Sequence, residues 1–467
     1  MNRPVPDAIA HAVERAADAR PIGGNTLEHL PDSPAAIQAM LDSIAGAERW
    51  VHLENYIIRS DRTGWRFAEA LTSRARAGVR VRVLYDALGS FGTRRSYWRA
   101  LRRAGVEVRA FHPILTSQPF DLFLRDHRKL LVVDGVRAVT GGLCLGDEWA
   151  GDPARHRRPW RDSMAVVCGP AAAALDHTFA DVWSKTGPPL ADDELSGDPA
   201  PCGTTTVQVV AGVPFEARLF RAVQVIAAAV TERLWITDAY MVPPAPLYTA
   251  LRDAARAGVD VRVLVPGVSD LAVLRNLTRV GYRDLLRAGV RVFEWRGPMI
   301  HAKTLVADHR WARLGSSNLN VSSLLGNYEL DLLADNPAAA ETLATQFRRD
   351  LLSATEVILQ PRRPMLPPRL VHESLNAGAE SEPRLPLHKR SGYELGAVAV
   401  VALRRVAGGL RRSMAAAAAL ACLALGALQL LFPRVMSAIL AVGSFWLALG
   451  FGAYTLGKRR VRVRDAE

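Results

Sequence analysis

Cysteine is scarce: the chain has four in 467 residues, and none of Cys144, Cys168, Cys202 and Cys422 belongs to a CxxC pair. That excludes a disulfide-built scaffold, a zinc knuckle and a redox dithiol. No cluster of His, Cys, Asp and Glu has metal-ligand spacing, so neither a metal nor a cofactor is expected. The first twenty residues alternate charge with small side chains and lack an apolar core, so a secretory leader is not expected. Charged residues make up only 22% and hydrophobic ones 49%, which excludes a disordered chain. The length exceeds what one core organises and implies two or three domains.

What is present is basic charge, +13 in all. A surplus of that size fits a polyanion, either nucleic acid or an anionic membrane surface. Its location discriminates between them. Residues 396–467 hold ten Lys/Arg and two acids, a balance of +8, and residues 361–395 add +2. The first 360 residues therefore carry only about +3, too little to suggest a groove for a phosphate backbone. The same tail contains two uncharged apolar runs, 413–432 and 435–456, separated by Pro433 and Arg434. Each is long enough to cross a hydrocarbon core as a helix, so a transmembrane helical hairpin is expected. Basic residues flank both ends, which places them, and the body of the protein, on the cytoplasmic side.

The body is an internal duplication. ARAGVRVRVL at 75–84 recurs as ARAGVDVRVL at 255–264, ERWVHLENY at 48–56 as ERLWITDAY at 232–240, and LRRAGVEV at 101–108 as LLRAGVRV at 285–292. Order is kept, with offsets of 180 to 184 residues. In each copy a stretch with helical spacing ends at a glycine and a strand follows: residues 67–77 lead to Gly78 and strand 79–85, and 101–104 to Gly105 and strand 106–111. This repeated alternation predicts an α/β architecture with a largely parallel or mixed sheet. The expected organisation is an N-terminal segment (1–23), one unit (24–190), a linker (191–204), a second unit (205–360), a Pro-rich linker (361–395) and the membrane segment (396–467).

One pattern occurs in both copies. His127, Lys129 and Asp134 form H-x-K-x4-D, followed by Gly141-Gly142; His301, Lys303 and Asp308 repeat it, followed by Gly315-Ser316-Ser317-Asn318. A single occurrence is weak evidence, but two at matching places of a duplication are strong. On a strand, H-x-K puts both side chains on one face, and the apolar 130–133 reads as a buried strand. Imidazole is a nucleophile that titrates near neutral pH, so one histidine suits attack on phosphorus and the other proton transfer. The lysines suit stabilisation of the phosphate oxygens, with donors added by Ser316, Asn318 and the backbone N–H of Gly142. At the place of Asn318 the first copy has Cys144, a poor donor. The phosphate site is therefore expected to be asymmetric, and Cys144 reads as an inert thiol.

The duplicated motif resembles the signature of the phospholipase D superfamily, over residues from about 25 to 360. Within it, the stretches ENYIIRSDRTG (54–64), GVRVRVLYDALGS (78–90), RDHRKLLVVDG (125–135), GDEW (146–149), WRDS (160–163), HAKTLVAD (301–308) and GSSNLNVSS (315–323) look most like bacterial cardiolipin synthases. The resemblance implies two tandem phospholipase D-like α/β/α domains sharing one active site. It also implies a two-step transfer of a phosphatidyl group from one phosphatidylglycerol to another through a phosphohistidine, with release of glycerol, in the bacterial inner membrane. His127 would be the nucleophile and His301 the acid/base. The family also implies acids that orient the histidines, at Asp162 and Glu329. Asp134 and Asp308 belong to the signature, although their place after the strand also suits a loop-fixing role. Relatives that hydrolyse phospholipids or transfer other head groups leave the acceptor open. Trp98, Trp149 and Trp295 read as core residues.

Overall fold

The computed structural model describes residues 5–113, 124–195, 197 and 199–359. The expected hairpin at 413–432 and 435–456 lies outside them. Among the described residues, no helix is long and apolar enough to cross a membrane.

The first copy contributes seven strands: β1 (Pro21–Leu30), β2 (Trp50–Asn55), β3 (Arg80–Asp86), β4 (Glu107–Phe111), β5 (Lys129–Val133), β6 (Arg137–Gly141) and β7 (Met164–Cys168). The second contributes β8 (Thr205–Gly212), β9 (Arg233–Thr237), β10 (Asp260–Pro266), β11 (Arg291–Trp295), β12 (Thr304–Ala307), β13 (Trp311–Gly315), β14 (Glu329–Asp335) and β15 (Ala354–Val357). The hydrogen-bonded order is β4-β3-β2-β5-β6-β7-β1 in one copy, and β11-β10-β9-β12-β13-β14-β8 in the other, with β15 added beyond β11. The orders correspond strand for strand, so the sequence repeat is a structural repeat. Strands β2, β3 and β4 are parallel, as are β9, β10 and β11, and the other pairings are antiparallel. The copies join where the start of β1 pairs antiparallel with the start of β8, Ile22 facing Val207.

Among the described residues, ten helices cover the strands: α1 (Val5–Ala17), α2 (Ser33–Ala45), α3 (Arg62–Arg76), α4 (Arg95–Arg103), α5 (Asp147–Ala150), α6 (Pro170–Ser184), α7 (Arg218–Ala229), α8 (Ala245–Arg256), α9 (Ala272–Arg287) and α10 (Pro337–Leu351). Helix α3 starts where Asp61 accepts from the Gly64 N–H at 2.9 Å, which satisfies an otherwise orphaned donor. It stops before Gly78, whose φ of +90° is a left-handed conformation that glycine adopts without steric cost. Gly258 repeats this in the second copy at φ +95°.

One core cluster is shared between copies, with Leu175 and Phe179 of α6, Leu130 and Val132 of β5, Leu330 and Leu332 of β14, and Leu343 and Phe347 of α10 all buried in it. Each copy has its own second cluster on the opposite helices. Helix α1 packs there against α7 of the second copy, through Val13 and Ala17, although it opens the chain. The linker after α6 also folds back. Glu194 accepts from Arg82 of β3 at 2.6 Å, and Leu190 joins the shared core. The arginines that alternate along β3 are thus paired rather than open to solvent.

Candidate active site

His127 lies two residues before Lys129, where β5 begins opposite the end of β2, and Asn55 faces Lys129. All five residues of β5 are buried, as the run of apolar residues predicts. His301 occupies the corresponding place before β12. The backbone N–H of each histidine pairs with the opposite copy. The His127 N–H donates to Tyr328 O at 2.9 Å, and the His301 N–H to Arg161 O at 2.7 Å. Tyr328 and Arg161 each precede an acid of the opposite copy, so these short bridges carry the acids to the histidines.

The pairs are therefore crossed. His127 Nδ1 lies 2.9 and 3.0 Å from the two carboxylate oxygens of Glu329. His301 Nδ1 lies 2.7 Å from Asp162 Oδ2. With Nδ1–H donating to a carboxylate, Nε2 of each ring is the free nitrogen. All four side chains are buried. Burial pulls the His127 pKa down to about 4, with Lys129 and Lys303 adding to the effect and Glu329 opposing it. His301 shifts down too, through burial and then Lys303. Burial alone would raise Glu329, but His127, Lys129 and Ser316 hold it at about 2. Asp162 is likewise held low by His301 and Lys303 against its own burial. At neutral pH each pair is a neutral imidazole donating to a carboxylate.

The lysines complete a cationic floor. Lys129 Nζ donates to His127 O at 2.5 Å and lies 5.2 Å from the Tyr56 ring centroid. Lys303 Nζ donates to His301 O and lies 2.9 Å from His301 Nδ1. Since that nitrogen gives its hydrogen to Asp162, the lysine acts on the ring as a nearby positive charge. Burial lowers Lys303 to about 8, and Lys129 adds to the fall. Both histidines feel both lysines. The four groups thus form one pocket that favours an anion.

Several expected members sit elsewhere. Asp134 and Asp308 do not reach the histidines. Each occupies a left-handed position, φ +55° and +50°, in the turn at the far end of its strand. Seven residues of extended chain put them about 20 Å from the ring at ~3.3 Å per residue. Asp134 accepts from the N–H groups of Glu48, Arg49 and Trp50 at 2.7 to 2.9 Å. Asp308 does the same for Thr231, Glu232 and Arg233. Both latch the start of the neighbouring strand and are structural.

Gly142 does not offer its N–H to a ligand, because that group donates to Ser163 O at 3.1 Å. Its role is space: a Cβ there would lie 2.2 Å from Asp162 Oδ1. Ser316 holds the equivalent position in the second copy. Its hydroxyl donates to Glu329 Oε2 at 2.5 Å and accepts from the Leu330 N–H at 2.9 Å, so it supports the carboxylate instead of reaching for phosphate. Asn318 is buried, and its Oδ1 has no partner. Cys144 is buried, and burial pushes its thiol pKa up.

Other residues of the site were not singled out from sequence. Tyr56 packs edge-on against His127 at 4.8 Å, and Tyr240 against His301 at 5.9 Å. Both close the repeated ERWVHLENY/ERLWITDAY stretch, which was the available signal. Trp149, read as core, is buried, yet it also lines the site, 5.6 Å from the His301 ring, and its indole N–H donates to Asp162 Oδ2 at 3.1 Å. Arg128 is fully buried and donates to Glu329 O and Gly212 O of the second copy and to Thr178 O of the first. Arg161 clamps Asp350 through two bonds of 3.0 and 2.7 Å. These two arginines brace the crossing on both sides.

Comparison with known proteins places the chain in one family. A family profile described as "Cardiolipin synthase, PLD-like domain" matches residues 40–148 and 223–351, one span per histidine motif. Cardiolipin synthase A of Pseudomonas entomophila (strain L48) is 33% identical over 349 residues, covering 73% of this chain and 72% of that protein. Cardiolipin synthase of Alkalihalophilus pseudofirmus is 32% identical over 335 residues, covering 70% and 66%. Among solved structures, phosphatidylserine synthase of Haemophilus influenzae Rd KW20 shares the fold, with a TM-score of 0.60 at 15% identity, covering 75% of this chain and 92% of that one. The chain belongs to the cardiolipin synthase family of phospholipase D-like enzymes.

Proposed function

We propose that this protein is a phosphatidyltransferase that makes cardiolipin from two molecules of phosphatidylglycerol. The observation that carries the reading is the crossed pairing of two histidines with two carboxylates above two buried lysines. It supplies a neutral nucleophile, a proton carrier and an anion site in one pocket.

In this reading His127 Nε2 attacks the phosphorus of one phosphatidylglycerol while the P–O bond to glycerol breaks. His301 gives its Nε2 proton to the departing glycerol oxygen. Arrival of the anionic phosphodiester raises the His301 pKa from its resting position, so His301 takes that proton up from solvent as substrate binds, while His127 stays neutral for attack. Glu329 stabilises the charge on the phosphorylated His127 ring. His301 then takes the proton from the hydroxyl of a second phosphatidylglycerol, whose oxygen displaces His127 from phosphorus. The products are glycerol and cardiolipin. Lys129, Lys303 and the Asn318 amide hold the phosphate oxygens. Substrate and tail fit together: the two apolar runs at 413–432 and 435–456, with their basic flanks, would anchor the enzyme in the bacterial inner membrane with the body cytoplasmic.

The test is product analysis with phosphatidylglycerol vesicles. Cardiolipin and glycerol should appear in equal amounts, and a phosphatidyl adduct should be trapped on His127 when His301 is replaced by Ala. Phosphatidic acid as sole product would make the enzyme a hydrolase instead. An adduct on His301 in His127→Ala would reverse the two roles.

A further inference from the structure

Four large apolar side chains that face solvent lie at the edge of the sheet that bears His127. Phe91 is 76% exposed and Phe215 79%, and Trp65 and Leu88 are exposed as well. Trp65 lies in the first turn of α3, just after β2. Leu88 and Phe91 lie between β3 and α4, and Phe215 between β8 and α7. Both phenylalanine loops border His127. Gly89 packs on Tyr56 so closely that a Cβ would lie 2.3 Å from Tyr56 O, and the Tyr56 ring touches His127. On the other side Gly212, three residues before Phe215, faces Glu329.

The exposure is built into the backbone. Asp86 accepts from the N–H groups of Leu88 and Gly89, and the Ser90 and Thr93 hydroxyls bond to Tyr56 O and Ile58 O beneath the loop. This leaves Leu88 and Phe91 pointing outward. Phe215 is held at φ +71°, a value rarely taken by a bulky residue, by a 2.7 Å bond from its N–H to Leu325 O. Among the described residues, no neighbour covers either ring, and the backbone bonds beneath them hold that exposure.

Arginines surround the first of these loops. Arg66, Arg94 and Arg95 are exposed and have no carboxylate at salt-bridge distance among the described residues. The loop at 152–160 adds exposed Arg157 and Arg158, and Arg62 ties that loop to α3 by donating to Gly151 O at 2.6 Å. Exposed arginines thus flank the apolar rings of the first loop. Aromatic rings amid arginines suit the head-group layer of an anionic bilayer, where rings enter the interface and cations meet phosphates.

We propose that the histidine-bearing edge is a docking face for an anionic phospholipid bilayer, with Leu88, Phe91 and Phe215 entering the head-group layer and Arg94 and Arg95 binding its phosphates. This face would deliver lipid to His127 without extraction into water. The inference rests on the reading of a membrane phospholipid as substrate and adds a contact distinct from the C-terminal tail.

Two measurements test it on the full-length protein. Amide hydrogen exchange is followed in nanodiscs of phosphatidylglycerol and of neutral phosphatidylcholine. Exchange across 86–95 should be slower in the anionic discs, and the difference should vanish in the triple variant F91S/R94A/R95A. Equal exchange in both disc types overturns the proposal, as does protection by a single-stranded oligonucleotide in place of the lipid. Separately, that variant should lose roughly tenfold or more in rate on vesicle phosphatidylglycerol, given the contribution of two surface arginines. Its rate on short-chain phosphatidylglycerol dispersed as monomers should be unchanged, and an equal loss on both substrates also overturns the docking face. If the wild-type protein forms no product from either lipid, the functional reading fails, and the exchange data still decide whether the face binds lipid.

Discussion

Each motif histidine is hydrogen-bonded to a carboxylate that the other copy of the repeat supplies. Glu329→Gln keeps the shape but removes the charge that, in the proposed mechanism, stabilises His127 when phosphorylated. It should lower the transfer rate by about a hundredfold or more, read by initial rates on phosphatidylglycerol. Gly142→Ala puts a methyl group 2.2 Å from Asp162 Oδ1 and so displaces the acid that holds His301. A displacement near 1 Å should cost about a hundredfold in rate. The pH dependence of stability follows from the same groups. His127 titrates near 4 in the folded protein, below its ordinary value, so between about 4 and 6.5 the unfolded chain binds more protons. Glu329 is held at about 2, so between about 2 and 4.5 the unfolded chain again binds more. Both contributions make stability rise with pH through these windows. The urea midpoint should climb from pH 4 to 6.5, and His127→Gln should flatten that rise.

At the scale of elements, the two motif aspartates are latches. Asp134 satisfies three N–H groups at the entry to β2 and holds the turn between β5 and β6 against it. Asp134→Ala should cost about 3 kcal/mol in urea unfolding, since charge-assisted bonds are lost and donors are orphaned. The KM of the folded fraction should change little. The sequence pattern made the strands legible: alternating Val and Arg read as β3, the apolar 130–133 as β5, and the glycine stops as helix ends. It did not show that the arginines of β3 would be paired by Glu194 of the linker, because that contact joins residues 112 positions apart. Nor did it distinguish Gly142 as space from Gly142 as a donor. That difference depends on where Asp162 lies.

For the whole molecule, the crossing ties the two copies into one site. Arg128 is the strut: it is buried and ties β5 to carbonyls of both copies. Its counterpart in the second copy is Ala302, so this brace has no duplicate. Arg128→Ala should lower stability by about 3 kcal/mol or more, because two buried carbonyls and a partly buried one lose their donor. Thermal loss of activity should then track unfolding, as measured by circular dichroism and residual transferase rate across the same temperatures.

The sequence by itself determined the repeat, the strand-and-helix alternation and the two His/Lys pairs, since these are local patterns with periods of two and 3.6 residues. It also located most of the charge in the tail. Tertiary structure alone decided that Glu329 serves His127 and Asp162 serves His301, that Ser316 supports a carboxylate, and that arginines from separate loops gather around exposed rings. Those outcomes join residues as many as 202 positions apart, and no local pattern encodes which side chains the packing of two copies will bring within hydrogen-bonding distance.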